Sequence, residues 1–342
     1  MKYSEGYNKA SQNRKDYLDS ILNVIEKKRI EADKNRKNHF EEMKANLEKY
    51  RKELGDMLGW PLNAQETGVL SATSTLLCEE DGVEVFRMQF NLKIGISFSG
   101  LLFKHKTDKK LPFVIAQHGG GGTAELCSGL LEIGTQNYNQ MVERTVKKGA
   151  NVFAPQLFLW NPNIFEPALN ENSWIGGRQE VDVKLKQVGS SITAIEIYSI
   201  QSVIDYFEDK DFVDKDKIGM LGLSYGGFYT MHTAAFETRI KAAYSCSQYN
   251  DSYKVFFPDW VWFNSANKFL TNEVASLIYP RKFLISVGTN DVVFPVDSAK
   301  EQFDNLKQLL PGDWTELEVF EGDHEFSKNE DMLDKFFAAL SK

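Results

Sequence analysis

The sequence predicts an α/β chain in which a mostly parallel central sheet, helices on both faces, follows an antiparallel N-terminal meander and a helical arm. Three observations carry this. From residue 112 onward, apolar runs of five or six residues alternate with helical stretches, the signature of a parallel sheet covered on both faces. Residues 74–104 instead alternate or run apolar with turns between them, as a meander does. The first sixty residues place apolar side chains three and four apart, the spacing of one helix face.

The arm comes first. Leu18, Ile21, Leu22 and Ile25 form one stripe, and Phe40, Met43, Leu47, Tyr50, Leu54 and Met57 a second. The polar residues 33–38 between them predict two helices, and Gly59-Trp60-Pro61 ends the second. Residues 1–60 carry 14 Lys or Arg against 11 Asp or Glu, a net +3 before a body of −11. Two readings stand side by side: both stripes pack on the body, or the arm serves oligomerisation or forms a lid. The expected division is a helical extension, 1–60, and one catalytic domain, 61–342.

Strands are predicted next at 74–80, 82–90 and 92–104, then at 112–117, 151–155, 217–221, 241–246, 282–287 and 316–320. Helices are expected near 137–148 and at 188–207, the latter with Ile192, Ile195, Tyr198 and Ile204 on one side. In such sheets reactive groups collect beyond the carboxyl ends of the strands.

Composition narrows the classes. A net charge of −8 gives no basic footprint for nucleic acid. Three cysteines, at 78, 127 and 246, are too scattered for a disulfide framework or a zinc knuckle and favour a reducing compartment. No apolar leader or membrane-length run is visible, so a cytoplasmic, non-membrane protein is expected. No H-E-x-x-H or paired-histidine spacing suggests a metal, and no cofactor motif is present.

Every candidate reactive residue lies just after a strand. Gly222-Leu223-Ser224-Tyr225-Gly226 fits G-x-S-x-G between strand 217–221 and a helix-like run from Phe228 to His232. A strand-to-helix turn this tight strains the serine backbone and exposes its hydroxyl. The serine needs a base beside it. Among five histidines, His39 lies in the charged arm, His105 in a lysine-rich turn, His118 before a glycine run and His232 on the helix under the elbow. His324 directly follows the last strand. For the acid, Asp291 follows strand 282–287, whereas Asp297 reads as a helix N-cap and Asp323 adjoins His324 too closely. The run His118-Gly119-Gly120-Gly121-Gly122 after strand 112–117 lets backbone N–H groups approach a substrate. One N–H from Gly119, Gly120 or Gly121, with that of Tyr225, would hold a developing oxyanion. A phosphate loop is excluded because no lysine follows.

Residues 218–228, Arg239-Ile240-Lys241-Ala242-Ala243, Gly288-Thr289-Asn290-Asp291 and Phe320-Glu321-Gly322-Asp323-His324 resemble bacterial dienelactone-hydrolase-like and acetylxylan-esterase-like α/β-hydrolases. The resemblance spans roughly residues 75–340, and the order Ser224…Asp291…His324 is the one this fold uses. It implies the α/β-hydrolase fold and a cofactor-free serine carboxylesterase for small or sugar esters, often a deacetylase. The elbow is also similar to that of prolyl-oligopeptidase-type peptidases, which carry a β-propeller that sixty helical residues cannot supply. Peptidase or amidase chemistry on the same triad, or a non-catalytic binding role, are the alternatives. The expected partners are a small-molecule ester and, if the arm oligomerises, a second copy. His118, Trp160, Arg178 and Trp260 are candidate substrate contacts, although Arg178 also reads as an ordinary surface arginine and the aromatics around Trp260 as core.

Overall fold

The structure, a computed structural model, describes residues 6–131, 136–158 and 174–342. The arm differs from expectation. Helix α1 runs unbroken over Gly6–Ala45, and the break falls at Asn46 before α2, Leu47–Leu58. Residues 33–38 contain neither glycine nor proline, and Asp33 pairs with Arg29 and Arg36 one turn away on either side, so the helix continues through them. Only the second apolar stripe packs on the body: Phe40, Met43, Tyr50 and Leu54 are buried, while every residue from 11 to 28 is exposed.

The meander is β1 (Val69–Glu80), β2 (Val83–Leu92) and β3 (Ser97–His105), each antiparallel to the next. Strand β4 (Leu111–Gln117) follows, then the short α3 (Ala124–Cys127), α4 (Met141–Lys147) and β5 (Asn151–Pro155). Helix α5 (Trp174–Gln187), which hydrophobic spacing does not announce, precedes α6 (Ile192–Glu208). The expected start at 188 moves to 192 because Ser191 caps α6, its Oγ accepting from the Ala194 N–H at 3.1 Å. The same hydroxyl donates to Leu58 O at 2.8 Å, which fastens the end of the arm to the body.

Strand β6 (Val213–Leu223), α7 (Tyr225–Phe236), β7 (Ile240–Cys246), α8 (Thr271–Ser276), β8 (Lys282–Gly288), α9 (Val296–Leu309), β9 (Thr315–Phe320) and α10 (Glu330–Leu340) complete the chain. Among the described residues the sheet order is β1-β2-β3-β5-β4-β6-β7-β8-β9, parallel from β5 to β9. Side chains alternate across it as a strand requires. Phe113 and Ile115 of β4 join the core under α2, α6 and α7, while Val114 and Ala116 join the core under α4 and α10. At Gly219 the last helix, α10, packs closely on the sheet: a Cβ there would lie 2.5 Å from the Phe336 ring. With β6, β7, β8 and β9 in parallel register, their carboxyl ends form one edge, and the loops after them meet there.

Candidate active site

Ser224 sits between β6 and α7 at φ 58°, ψ −118°, a backbone region that costs a non-glycine residue about 1–3 kcal/mol. Neighbours hold it there. Its N–H donates to Cys246 O at 2.9 Å, and its carbonyl accepts from the Phe228 N–H at 2.9 Å. The turn closes only without side chains at its ends. A Cβ on Gly226 would lie 2.1 Å from Gln117 O, and one on Gly222 would lie 2.5 Å from the Gly226 carbonyl.

Asp291 and His324 meet across the loops after β8 and β9. His324 Nδ1 lies 2.8 Å from Asp291 Oδ2, and that carboxylate side chain is fully buried. Asp291 Oδ1 accepts from the N–H groups of Val293 (2.8 Å) and Phe294 (2.9 Å). Burial pushes the Asp291 carboxyl upward, but the His324 hydrogen bond and charge, with those two N–H groups, outweigh it and hold the pKa below its usual value. An ionised Asp291 then accepts from Nδ1–H and leaves Nε2 of His324 as the lone-pair nitrogen. Asp297 lies in the first turn of α9 instead of capping it; Pro295 holds the cap position.

The elbow and the histidine loop are fastened to each other. Next to Cys246, which receives the Ser224 N–H, Ser247 donates from Oγ to Glu325 O at 3.1 Å, one residue past His324. Ser224 Oγ makes no hydrogen bond to His324 among the described contacts; such bonds are commonly loose without substrate and tighten on binding.

The glycine loop lies against the elbow, a Cβ on Gly119 falling 3.3 Å from Ser224 Cβ. Its N–H groups are not equivalent. That of Gly119 donates to Tyr138 Oη at 3.0 Å, whereas those of Gly120 and Tyr225 donate to none of the described residues. Gly121 takes φ 69° to turn the loop back. Tyr138 gives no signal in the sequence, yet its hydroxyl is enclosed by this loop. The next residue, Asn139, donates to Glu325 Oε2 at 2.7 Å and Phe326 O at 2.6 Å. One short segment before α4 therefore ties the glycine loop to the histidine loop.

The four expected substrate contacts fare differently. Trp160 lies outside the described residues. His118 is fully buried with both ring nitrogens engaged: Nδ1 donates to Gly119 O (2.8 Å) and Nε2 accepts from the Leu157 N–H (3.0 Å). Burial lowers its pKa to about 4, so it is a neutral strut of the glycine loop without a nitrogen to offer a substrate. Arg178 is not a surface arginine. It is 1% exposed and all five N–H groups are used: Nε to Asp259 Oδ2 (2.7 Å), Nη1 to Phe158 O (3.2 Å) and Glu196 Oε1 (3.0 Å), Nη2 to Glu196 Oε2 (2.8 Å) and Tyr229 Oη (2.6 Å). Burial opposes its charge, but Glu196, Tyr229 and Asp259 outweigh that and raise its pKa well above the ordinary value. Asp259 Oδ1 also accepts from Tyr225 Oη at 3.1 Å, so this cluster holds the residue beside Ser224. Trp260 is 7% exposed, stacked on Phe228 at 4.2 Å and facing Phe294 at 6.1 Å, which itself stacks on His324 at 5.6 Å.

Known proteins share parts of this sequence and its fold. The prolyl oligopeptidase family matches residues 194–341, from α6 to the end of the last helix. The Bacillus subtilis (strain 168) protein YtaP, which bears the name of a hydrolase, is 27% identical over 146 residues, 39% of this chain and 47% of YtaP. The chain thus spans about half the length of that curated relative. Among solved structures, a glucuronoyl esterase from Solibacter usitatus superposes with a TM-score of 0.59 at 13% identity, over 85% of this chain and 92% of that one. Acetyl xylan esterase 1 from Thermoanaerobacterium sp. JW/SL YS485 gives 0.57 at 15% identity, over 87% and 94%. Identities this low speak for a shared fold. The chain is similar to the prolyl oligopeptidase family over residues 194–341 and shares its overall fold with these esterases.

Proposed function

We propose that the chain is a serine carboxylic-ester hydrolase for short-acyl esters, acetylated carbohydrate among them. Ser224 Oγ attacks the ester carbonyl while His324 Nε2 takes its proton, and Asp291 holds the imidazole and stabilises its charge. The tetrahedral oxygen is received by the N–H groups of Tyr225 and Gly120, which donate to none of the described residues. His324 returns the proton to the departing alcohol, and an acyl-enzyme remains. Water, activated by the same nitrogen, releases the acid and restores Ser224. The observation that carries the reading is the Asp291–His324 contact at 2.8 Å, its carboxylate buried, together with a serine held at φ 58° in a strand-to-helix turn. Hydrolysis of an aryl acetate by wild type and by Ser224→Ala tests it. A loss of about 10⁴-fold or more is expected; equal rates would remove Ser224 from the mechanism.

The match to the prolyl oligopeptidase family favours a second reading, peptidase or amidase chemistry on the same three residues. Faster turnover of a peptide p-nitroanilide than of an aryl acetate would decide for it. The free thiols of Cys78, Cys127 and Cys246 accord with a reducing compartment, which we take to be the cytoplasm; no helix among the described residues is long and apolar enough to cross a membrane.

The arm supports a second copy as partner. Leu18, Ile21, Leu22 and Ile25 are 39–53% exposed on one face of a projecting helix, an apolar seam of the kind paired helices cover. Residues 32–58 belong to the packed body, so the test is deletion of residues 1–30. The reading requires a fall in mass in solution on deletion; an unchanged oligomer refutes it.

A further inference from the structure

Residues 137–140, just before α4, touch both loops that bring reactive groups to Ser224. Toward the histidine loop, Asn137 O accepts from the Phe326 N–H at 2.8 Å, and Asn139 Nδ2 donates to Phe326 O and Glu325 Oε2. Between these two residues, the Tyr138 hydroxyl accepts from the Gly119 N–H in the glycine loop. Tyr138 is 3% exposed, and a Cβ on Gly122 would lie 2.0 Å from its hydroxyl. Burial raises the pKa of this phenol above its ordinary value and keeps it a neutral hydroxyl. Arg144 of α4 anchors the segment again, donating from Nη1 to Ser327 O at 2.7 Å and from Nη2 to Asn329 O at 3.1 Å.

The backbone here is strained. Six non-glycine residues among those described take positive φ. Four of them, Asn139 (46°), Gln140 (52°), Ser224 (58°) and Ser247 (50°), lie on the segments that meet at this junction. Asparagine tolerates such angles better than most residues, whereas glutamine has no such preference. Angles of this kind persist where surrounding contacts over-determine them, and they gather at functional sites. Glu325, the neighbour of His324, is the common anchor: its carboxylate receives Asn139 and its carbonyl receives Ser247.

We infer that Tyr138 and Asn139 are positioning residues that hold the glycine loop and the histidine loop in one fixed relation. Tyr138 takes up the Gly119 N–H and leaves that of Gly120 to face the oxyanion. Asn139 holds the chain just past His324 and so fixes where that ring presents Nε2. Donors and base serve one transition state only if both stand at the right place together. The kinetic consequence rests on the serine-hydrolase reading; the mechanical coupling of the two loops does not.

Two variants of the full-length protein test this. Tyr138→Phe keeps the ring and removes the acceptor for Gly119; Asn139→Gly keeps φ 46° accessible and removes the amide. Hydrogen–deuterium exchange of the peptides 117–123 and 322–327 reads the coupling without any substrate. Each variant should speed exchange in the loop that its lost side-chain group does not touch, by roughly 2–10-fold. On aryl acetate, each should lower kcat by roughly 3–10-fold with KM changed by less than about two-fold. The double variant should lose little more than the worse single one, because both break the same bridge. Thermal melts establish that the variants are folded. Exchange altered only in the nearer loop, additive losses in the double variant, or an unchanged or higher kcat in Tyr138→Phe overturns the assignment. A wild type that leaves the ester intact refutes the hydrolase reading instead, and the exchange result still decides the coupling.

Discussion

Replacing Arg178 with methionine probes the cluster that holds the elbow. The side chain is 1% exposed and pairs with two carboxylates, those of Glu196 and Asp259, which are themselves buried. Methionine fills much of the volume but leaves both carboxylates facing each other without a cation. Removing one partner from a buried ion pair costs about 3–5 kcal/mol, far more than the pair itself contributes to stability. A chain of 342 residues unfolds with an entropy of about 0.7 kcal/mol per degree, so the melting temperature should fall by roughly 4–7 °C. Asp259→Asn is the informative contrast. It leaves the Arg178–Glu196 fork intact at 2.8 and 3.0 Å and removes the surplus negative charge, so about 1–2 kcal/mol is expected. Differential scanning calorimetry measures both. Because Asp259 receives the Tyr225 hydroxyl, Arg178→Met should also lower kcat on aryl acetate more than it raises KM. A melting temperature within about 1 °C of wild type for Arg178→Met would refute the reasoning, since two uncompensated buried charges cannot be that cheap.

Asp291→Asn should lower kcat by about 10³–10⁴-fold, because an amide no longer fixes the His324 tautomer. The lowered pKa of Asp291 means that its ionised form stabilises the native state above the usual carboxylate range, and that this contribution is lost as pH falls through the lowered value. The gap in melting temperature between wild type and variant should therefore close on strong acidification; a gap that widens contradicts the assignment. His118 and His232 act in a higher pH window. Both are lowered to about 4 by burial, while an unfolded chain protonates them near pH 6.5. Stability should thus fall from about pH 6.5 down to pH 4 and level off below, by up to about 3 kcal/mol per histidine. Urea unfolding at pH 7 and pH 4.5 should show a smaller loss for His232→Gln than for wild type, and equal losses would place that imidazole in water.

The parts of the site legible in the sequence are those set by local chemistry. Strand β5 falls where the apolar run puts it, and Ser224, Asp291 and His324 each follow a strand whose apolar content announces it. What escapes is set by contacts across the chain. Tyr138 reaches Gly119 and Asn139 reaches Glu325, and Arg178 reaches Asp259, 81 residues away, none with a local pattern. Helix α5 carries Gly176 and Gly177 and mixes charges with isolated apolar residues, so its periodicity is weak. It is held by Arg178 and by Asp182, whose carboxylate accepts from the Ile192 N–H at 3.0 Å. The continuity of α1 was hidden for the converse reason: polarity at residues 33–38 resembles a linker, but nothing there breaks a helix.

The backbone angles of Ser224 also bear on how such a chain drifts over generations. Glycine adopts φ 58°, ψ −118° without the steric conflict that a Cβ creates, so substitution there would relieve about 1–3 kcal/mol of strain. Mutation alone would carry this position toward glycine and a more robust, inert fold. Only selection on what the hydroxyl does would keep a serine in place, so lineages that retain it at this turn are those in which the chemistry is still being used.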